Sequence, residues 1–376
     1  MMRRAHCFSF SLFLAVVAVF VGACGHPVDN DTVQSPIVPD AGVDAPFVPP
    51  VPTLLAGAPG SAFCGSIGAC RMFVEGGQVF FDSITPVDGG GQSSAILAVP
   101  VGGGAVTTVA TTGYGLTVGP FASANGIEWF ETSDEPFVSA LYTSGGTGTE
   151  GTLLATYTFD DGGPGGFGAE FVLGSDDANS IYLVSPVPTV VAISKSDGKV
   201  EFVSTSAESE VTGAPFPVVV DSDPSGLVYQ GGLQFSKTNG ESSPIPWNCP
   251  GGACAAAGVG DGVVFGLFGD GLGSPIVALS GGVTTQLWTL ASGGGGLQET
   301  QAFGVVADSQ NVYWISTNGI DSSTLRRAPI QGNVSAEVLL TDTTPGPAPC
   351  GLTGVALDGT FVYVTTGDGR LLRLPK

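Results

Sequence analysis

The chain has 376 residues, 59 of them Gly and 27 Pro, with 12% charged and 43% hydrophobic side chains. It is too apolar for a disordered chain and too rich in Gly and Pro for a helical one. Net charge is −22, from 33 Asp and Glu against 11 Lys and Arg, and no basic run is longer than Arg326-Arg327; such a surface repels phosphate backbones, which excludes nucleic acid as a partner.

Residues 1–24 read MMRRAHCFSFSLFLAVVAVFVGAC. Arg3 and Arg4 form a positive start. The apolar run from Phe8 to Val21 has the length of a signal-peptide core and is short for a bilayer span. Val21-Gly22-Ala23-Cys24 then resembles the lipobox of bacterial lipoproteins: an aliphatic residue, two small residues that admit the strand to the peptidase, and a cysteine that accepts the lipid. The resemblance implies a signal peptide over residues 1–23, a lipid anchor on Cys24 and a place in the cell envelope. Gly25, a residue other than Asp, directs such lipoproteins to the outer membrane. An ordinary secretory signal with an incidental Cys24 is the alternative. Residues 24–52 are Pro- and Asp-rich without apolar periodicity, a disordered tether that holds a folded head away from the bilayer.

From residue 53 onward the chain repeats itself, and abundant Val and Thr without long amphipathic patterns point to an all-β fold. The clearest unit runs from Phe303 to Asp342 and divides into four short strands, 304–307, 312–316, 323–328 and 336–341. Four strands of roughly ten-residue pitch make an antiparallel meander, the blade of a β-propeller. Second strands recur near Val79, Ile127, Ile181, Leu227, Val263, Val312 and Val362, giving seven blades. The turns SKSDGK from Ser194 and SKTNGE from Ser236 suit two-residue hairpins, with Asp-Gly and Asn-Gly supplying positive φ. The last blade, ending LLRLPK, lacks a fourth strand. Thr53–Ala56, TLLA, repeats the TLLA of residues 152–155 and fills the gap. The expectation for residues 53–376 is therefore a seven-bladed β-propeller closed by Thr53–Ala56 pairing with Leu371–Leu374, which hides two sheet edges. The pattern resembles bacterial outer-membrane lipoproteins with a β-propeller head. NVYWIST at 311–317 is similar to YWTD repeats, although the equivalent positions read QVFFDSI, GIEWFET, SIYLVSP and FVYVTTG.

Candidate chemistry is sparse. The two histidines, His6 and His26, both precede the head, which removes Ser-His-Asp and Cys-His catalysis and imidazole metal sites from it. Ser196-Asp-Gly-Lys199 has the Ser-x-x-Lys spacing of serine acylases, but it straddles a hairpin where that chemistry needs one helical turn. DSDPSGLV from Asp221 resembles a calcium loop but places Gly232 where a bidentate Glu belongs. Its Asp221 takes the same repeat position as Asp177, Asp261, Asp308 and Asp358, a turn-forming Asp between first and second strands. The Gly-rich runs at 162–168 and 292–296 lack the Gly-Lys-Ser/Thr of a phosphate cradle. Asp160-Asp161 and Asp176-Asp177 read as solvated turns, with weak calcium binding as the alternative. Trp129, Trp288 and Trp314 fall in strands, as inter-blade core, and Trp247 beside Pro246 is the candidate exposed aromatic.

Cys64, Cys70, Cys249, Cys254 and Cys350 remain in the head. Export places them in an oxidising space, where Cys64–Cys70 and Cys249–Cys254 are local disulfide candidates and Cys350 could instead pair with Cys64 or Cys70 across the first and last blades. The spacing does not favour zinc. With no catalytic constellation and no resident metal or cofactor, the head reads as a non-enzymatic binding or scaffold module for an envelope protein or polysaccharide. The alternative is a divalent-cation-dependent propeller hydrolase or lactonase, with Asp, Asn and Glu ligands in the central channel. Its innermost strands, such as FGVVA and AAAGV, offer few acids.

Overall fold

The computed structural model describes residues 48–57, 62–63, 72–87, 91–112, 116–123, 126–134, 137–144, 151–158, 173–184, 189–205, 220–222, 227–230, 233–246, 254–260, 263–268, 275–280, 283–289, 301–317, 322–331, 336–343 and 351–376. The chain divides into two units, Met1–Pro46 and Phe47–Lys376, and all described residues lie in the second. Cys24, the leader and most of the tether are outside them.

All regular structure among the described residues is β-strand, arranged in seven antiparallel sheets. β1 (Thr53–Gly57) comes first in the chain. The first blade holds β2 (Ala62–Phe63), β3 (Phe73–Glu75), β4 (Gln78–Val87), β5 (Gly91–Pro100) and β6 (Thr107–Thr112). The second holds β7 (Leu116–Ser123), β8 (Gly126–Asp134), β9 (Phe137–Thr143) and β10 (Thr152–Thr158). The third holds β11 (Leu173–Asp176), β12 (Ser180–Val184), β13 (Thr189–Ser194) and β14 (Val200–Thr205). The fourth holds β15 (Val220–Ser222), β16 (Leu227–Gln230), β17 (Leu233–Ser236) and β18 (Ser242–Pro244). The fifth holds β19 (Cys254–Gly260), β20 (Val263–Phe268), β21 (Pro275–Ser280) and β22 (Val283–Thr289). The sixth holds β23 (Gln301–Ala307), β24 (Asn311–Thr317), β25 (Ser323–Pro329) and β26 (Glu337–Asp342). The seventh holds β27 (Leu352–Leu357), β28 (Phe361–Thr366) and β29 (Arg370–Pro375), with β1 as its fourth strand. First strands touch first strands from β7 round to β27, and β27 in turn touches β3.

The core lies between sheets. In β24 the alternation of a strand sends successive side chains to opposite faces. Val312 and Trp314 join Ala278 and Leu287 of the fifth blade. Tyr313 and Ile315 join Leu352, Val362 and Leu372 of the seventh. The sixth sheet is thus apolar on both faces, which is why Asn311–Thr317, NVYWIST, reads as a near-continuous run of Val, Ile and aromatic residues.

The innermost edge of the first blade is divided: β3 pairs with the start of β4 (Phe73↔Phe80) and β2 with its far end (Ala62↔Ile84). One local expectation changes. The turn after β13 spans four residues, Lys195 to Gly198. It is closed by the Ser194 N–H to the Lys199 carbonyl and the Gly198 N–H to the Ser194 carbonyl, both at 2.9 Å. Gly198 takes φ 67° and its counterpart Gly240 φ 71°, so glycine supplies the left-handed residue of a wider loop than the two-residue hairpin expected from Asp-Gly.

At the seventh blade β1 runs antiparallel to β29, with Thr53 opposite Arg373, Leu54 opposite Leu372, Ala56 opposite Leu371 and Gly57 opposite Arg370. Between Leu54 and Ala56 the register shifts by one residue, a β-bulge. β10 carries the same shift between Leu153 and Ala155, so the shared TLLA sequence makes the same bulge twice. In β1 the bulge turns Leu55 and Ala56 both inward, into a cluster with Val79 and Phe81 of the first blade and Tyr363 and Leu371 of the seventh. Leu55 is 6% exposed and Leu54 59%. Leu55→Ala is expected to cost roughly 3 kcal/mol through lost burial and a residual cavity, against under about 0.5 kcal/mol for Leu54→Ala. Urea midpoints of the two variants measure this, and equal effects would count against the inward turn of the bulge.

Candidate functional site

In an antiparallel four-strand blade, the turns after strands one and three fall at one end. The turns after strand two and the blade-to-blade connections fall at the other. The first of these, the short-turn end, carries a repeated polar device. In the third blade Asp177 Oδ1 accepts the backbone N–H groups of Asn179 and Ser180 at 2.8 and 2.9 Å, and Oδ2 accepts the Tyr182 hydroxyl at 2.9 Å. In the seventh, Asp358 Oδ1 accepts the N–H groups of Thr360 and Phe361, and Oδ2 the Tyr363 hydroxyl. Asp308 of the sixth holds the N–H groups of Gln310 and Asn311 at 2.9 Å, with the Tyr313 hydroxyl at 3.5 Å. The local pattern is Asp-x4-Tyr: the carboxylate fixes the turn, and the tyrosine two positions into the second strand fixes the carboxylate.

A lysine from the next blade completes it. Lys195 and Lys376 hold one repeat position, directly after the third strand, where each donates its backbone N–H across the hairpin, to Asn179 O and Thr360 O. Lys237 holds that position in SKTNG. Lys237 Nζ meets Asp177 Oδ2 at 2.6 Å and sits 5.4 Å from the Tyr182 ring centre. Lys376 Nζ meets Asp308 Oδ2 at 2.8 Å. Each reaches back to the preceding blade. Lys195 reaches back too, to the Ala122 carbonyl, while its ammonium meets Asp176 Oδ2 at 2.6 Å within its own blade. On the second-blade side of that junction the acid is Glu128, 0% exposed in β8.

Burial raises the Asp177 carboxyl, but the Lys237 ammonium, two backbone donors and the Tyr182 hydroxyl outweigh it and hold it at about 2. Asp308 and Asp358 are likewise raised by burial and lowered further by their donors, to a net position below the ordinary carboxylate range. Burial and the adjacent Asp177 push the Tyr182 hydroxyl up. Glu128 moves the other way: burial raises it, and Ser123 and the Lys195 charge only partly oppose. Asp82, in β4 opposite Ile96, has an Oδ1 that is buried with no hydrogen-bond partner among the described residues, and burial pushes its carboxyl up to about 7.

The residues singled out from sequence fall as follows. Ser196 Oγ lies 2.9 Å from Ser194 Oγ, and exposed Lys199 bonds Asp197 at 2.6 Å, so no Ser-Lys couple forms. Asp221 is in β15 opposite Tyr229. It is not the turn residue equivalent to Asp177, because the turn begins beyond Ser222. Asp176 and Asp177 are engaged by Lys195 and Lys237 rather than solvated. Trp129 and Trp314 are inter-blade core. Trp129 stacks on Tyr142 at 5.8 Å and donates to Glu131 Oε1 at 2.8 Å. Cys254 opens β19; Cys64, Cys70, Cys249, Cys350, Asp160, Asp161, Asp261 and Trp247 lie outside the described residues. Among the described residues no three His, Cys, Asp or Glu side chains converge as metal ligands.

No protein-family model and no curated protein matches the sequence, so the YWTD likeness of residues 311–317 has no family match behind it. Solved structures are similar in fold. BamB from Moraxella catarrhalis is 9% identical with a TM-score of 0.50, covering 87% of this chain and 100% of that one. The WD40 β-propeller domain of Doa1 is 12% identical at 0.54, covering 87% and 97%. YCF48, solved bound to D1 peptide, is 13% identical at 0.52, covering 88% and 96%. The fold class is thus the β-propeller.

Two pH-dependent outcomes follow. Because Asp177 is held below its unfolded value of 3.8, its contribution is present above about pH 4 and fades as pH falls toward 2. Asp177→Asn is expected to lose about 2 kcal/mol at pH 7, with the deficit shrinking below pH 4 in urea titrations. Asp82 is raised instead, so its destabilisation is absent below 3.8 and grows as pH rises through about 7. Asp82→Asn is expected to match wild type at pH 4 and to exceed it at pH 8, by at most about 4 kcal/mol. A gain of the same size at pH 4 would rule out a charge effect.

Proposed function

We propose that the chain is an envelope lipoprotein, held at the outer membrane by acylated Cys24 through the tether at 24–52. Its propeller is a non-enzymatic binding or scaffold module for a protein or polysaccharide partner. The observation that carries this is the different use of the two ends of the blades. At the short-turn end, Lys237 and Lys376 are committed to Asp177 and Asp308 across blade junctions, and Lys195 to Asp176 of its own blade and the Ala122 carbonyl of the preceding one. Partner binding therefore falls to the opposite end, where the blade-to-blade connections and the loops after second strands emerge and can vary without disturbing the ladders. The similarity in fold to a propeller solved with a bound peptide supports a binding role, and the lipobox with its Pro-rich tether supplies the address.

Cys24→Ser is expected to abolish incorporation of labelled fatty acid and to release the protein from the membrane fraction; a variant that stays membrane-bound removes the anchor. For binding, crosslinking on intact envelopes should yield partner bands that disappear when residues 206–219 and 290–300 are replaced by short Gly-Ser linkers. Bands that persist in that variant would place the binding surface elsewhere.

A further inference from the structure

Charge is unevenly shared round the ring. Residues 53–300, which supply β1 and the first five blades, carry 23 Asp and Glu against four Lys and Arg, net −19. Residues 301–376, the sixth and seventh blades, carry six acids against five cations, net −1. The cations there are matched locally. Arg327 meets Glu337, Arg370 meets Asp342 and Asp368, and Lys376 meets Asp308. Arg373 donates to the Val101 carbonyl and lies over the Phe361 ring. β1, TLLAG, adds no charge. One sector of an otherwise strongly acidic disc is therefore close to neutral.

The chain enters the fold through that sector, since residues 48–52 lead into β1 on the outer edge of the seventh blade. A Pro-rich linker is extended, at about 3.1 Å per residue, so the tether is long enough to let the head present any side to the bilayer. The potential of an anionic bilayer decays within about 8 Å at physiological ionic strength. Turning the first five blades toward such a surface brings a sector of net charge −19 toward that layer. Turning the sixth and seventh brings almost no net charge.

We propose that the rim of the sixth and seventh blades is the membrane-facing surface of this protein, with an anionic bilayer as its partner, the acidic blades being held outward. This rests on the reading of residues 24–52 as a membrane tether. The third blade is three steps from the seventh one way round the ring and four the other. Val200 in β14, 43% exposed, therefore marks the far rim, and Leu54 marks the near one.

The test uses the chain from Cys24 onward with an amino-terminal hexahistidine tag, captured on vesicles containing nickel-chelating lipid, so that the tether starts at the bilayer whether or not Cys24 is acylated. An azide-bearing residue in place of Leu54 or Val200 takes a donor dye, and headgroup-labelled lipid is the acceptor. On vesicles with about 30% anionic lipid at low salt, transfer from position 54 is expected to exceed that from position 200 at least threefold. The ratio should fall toward the tether-only value on zwitterionic vesicles and in about 0.5 M salt. A ratio indifferent to lipid charge and salt overturns the proposal, as does stronger transfer from position 200. Flotation of the native acylated chain without nickel lipid reports on the anchor separately.

Discussion

A ring of sheets has no interior that belongs to one sheet. Trp314 is buried between the fifth and sixth blades, Tyr313 between the sixth and seventh, Leu55 between the seventh and first. Each blade therefore acquires its core only when its neighbour is in place, and the dependence must close on itself. It does so where β1 pairs with β29. This pairing satisfies a backbone edge that would otherwise stand open, and the bulge at Leu55 delivers two consecutive side chains, Leu55 and Ala56, to the cluster shared with Val79 and Phe81.

Much of this was readable in the residues because it is local. Second strands begin within a residue of the positions read from the Val, Ile and aromatic runs, and TLLA at 53–56 has the ladder position of TLLA at 152–155. The fourth strand of the fourth blade is only three residues, β18, and is faint in the sequence because Pro244 and Pro246 remove backbone donors. What was not readable depends on register or on other blades. Asp221 sits within a strand because the following turn is longer than its counterparts. The divided first edge of the first blade follows a segment whose composition resembles any other Gly-rich loop. The lysine position was hidden because RLPK shares no turn sequence with SKSDG or SKTNG; only the ladder shows that Lys376 and Lys195 occupy one place.

The lysines also change the meaning of the aspartates they meet. A turn-forming Asp is the plain reading of 177, 308 and 358, and the backbone hydrogen bonds agree with it. The same carboxylate then carries a second load, because its other oxygen accepts a tyrosine hydroxyl and, at 177 and 308, an ammonium from the following blade. At the junction of the second and third blades the acid has moved into the strand as Glu128, and Lys195 divides its bonds between Ala122 and Asp176. A protein with three times as many acids as bases has placed several of its few lysines at blade junctions.

The pairing of residue 54 with residue 372 has a consequence in time. Most contacts in the ring join segments that leave the ribosome within seconds of each other, whereas β1 must wait for nearly the whole chain at roughly 5–20 residues per second. Joining ends so far apart costs several times the thermal energy in chain entropy, growing only with the logarithm of the separation. The segment that emerges first among the strands is therefore committed last, and during that interval its uncharged Thr-Leu-Leu-Ala has no partner strand.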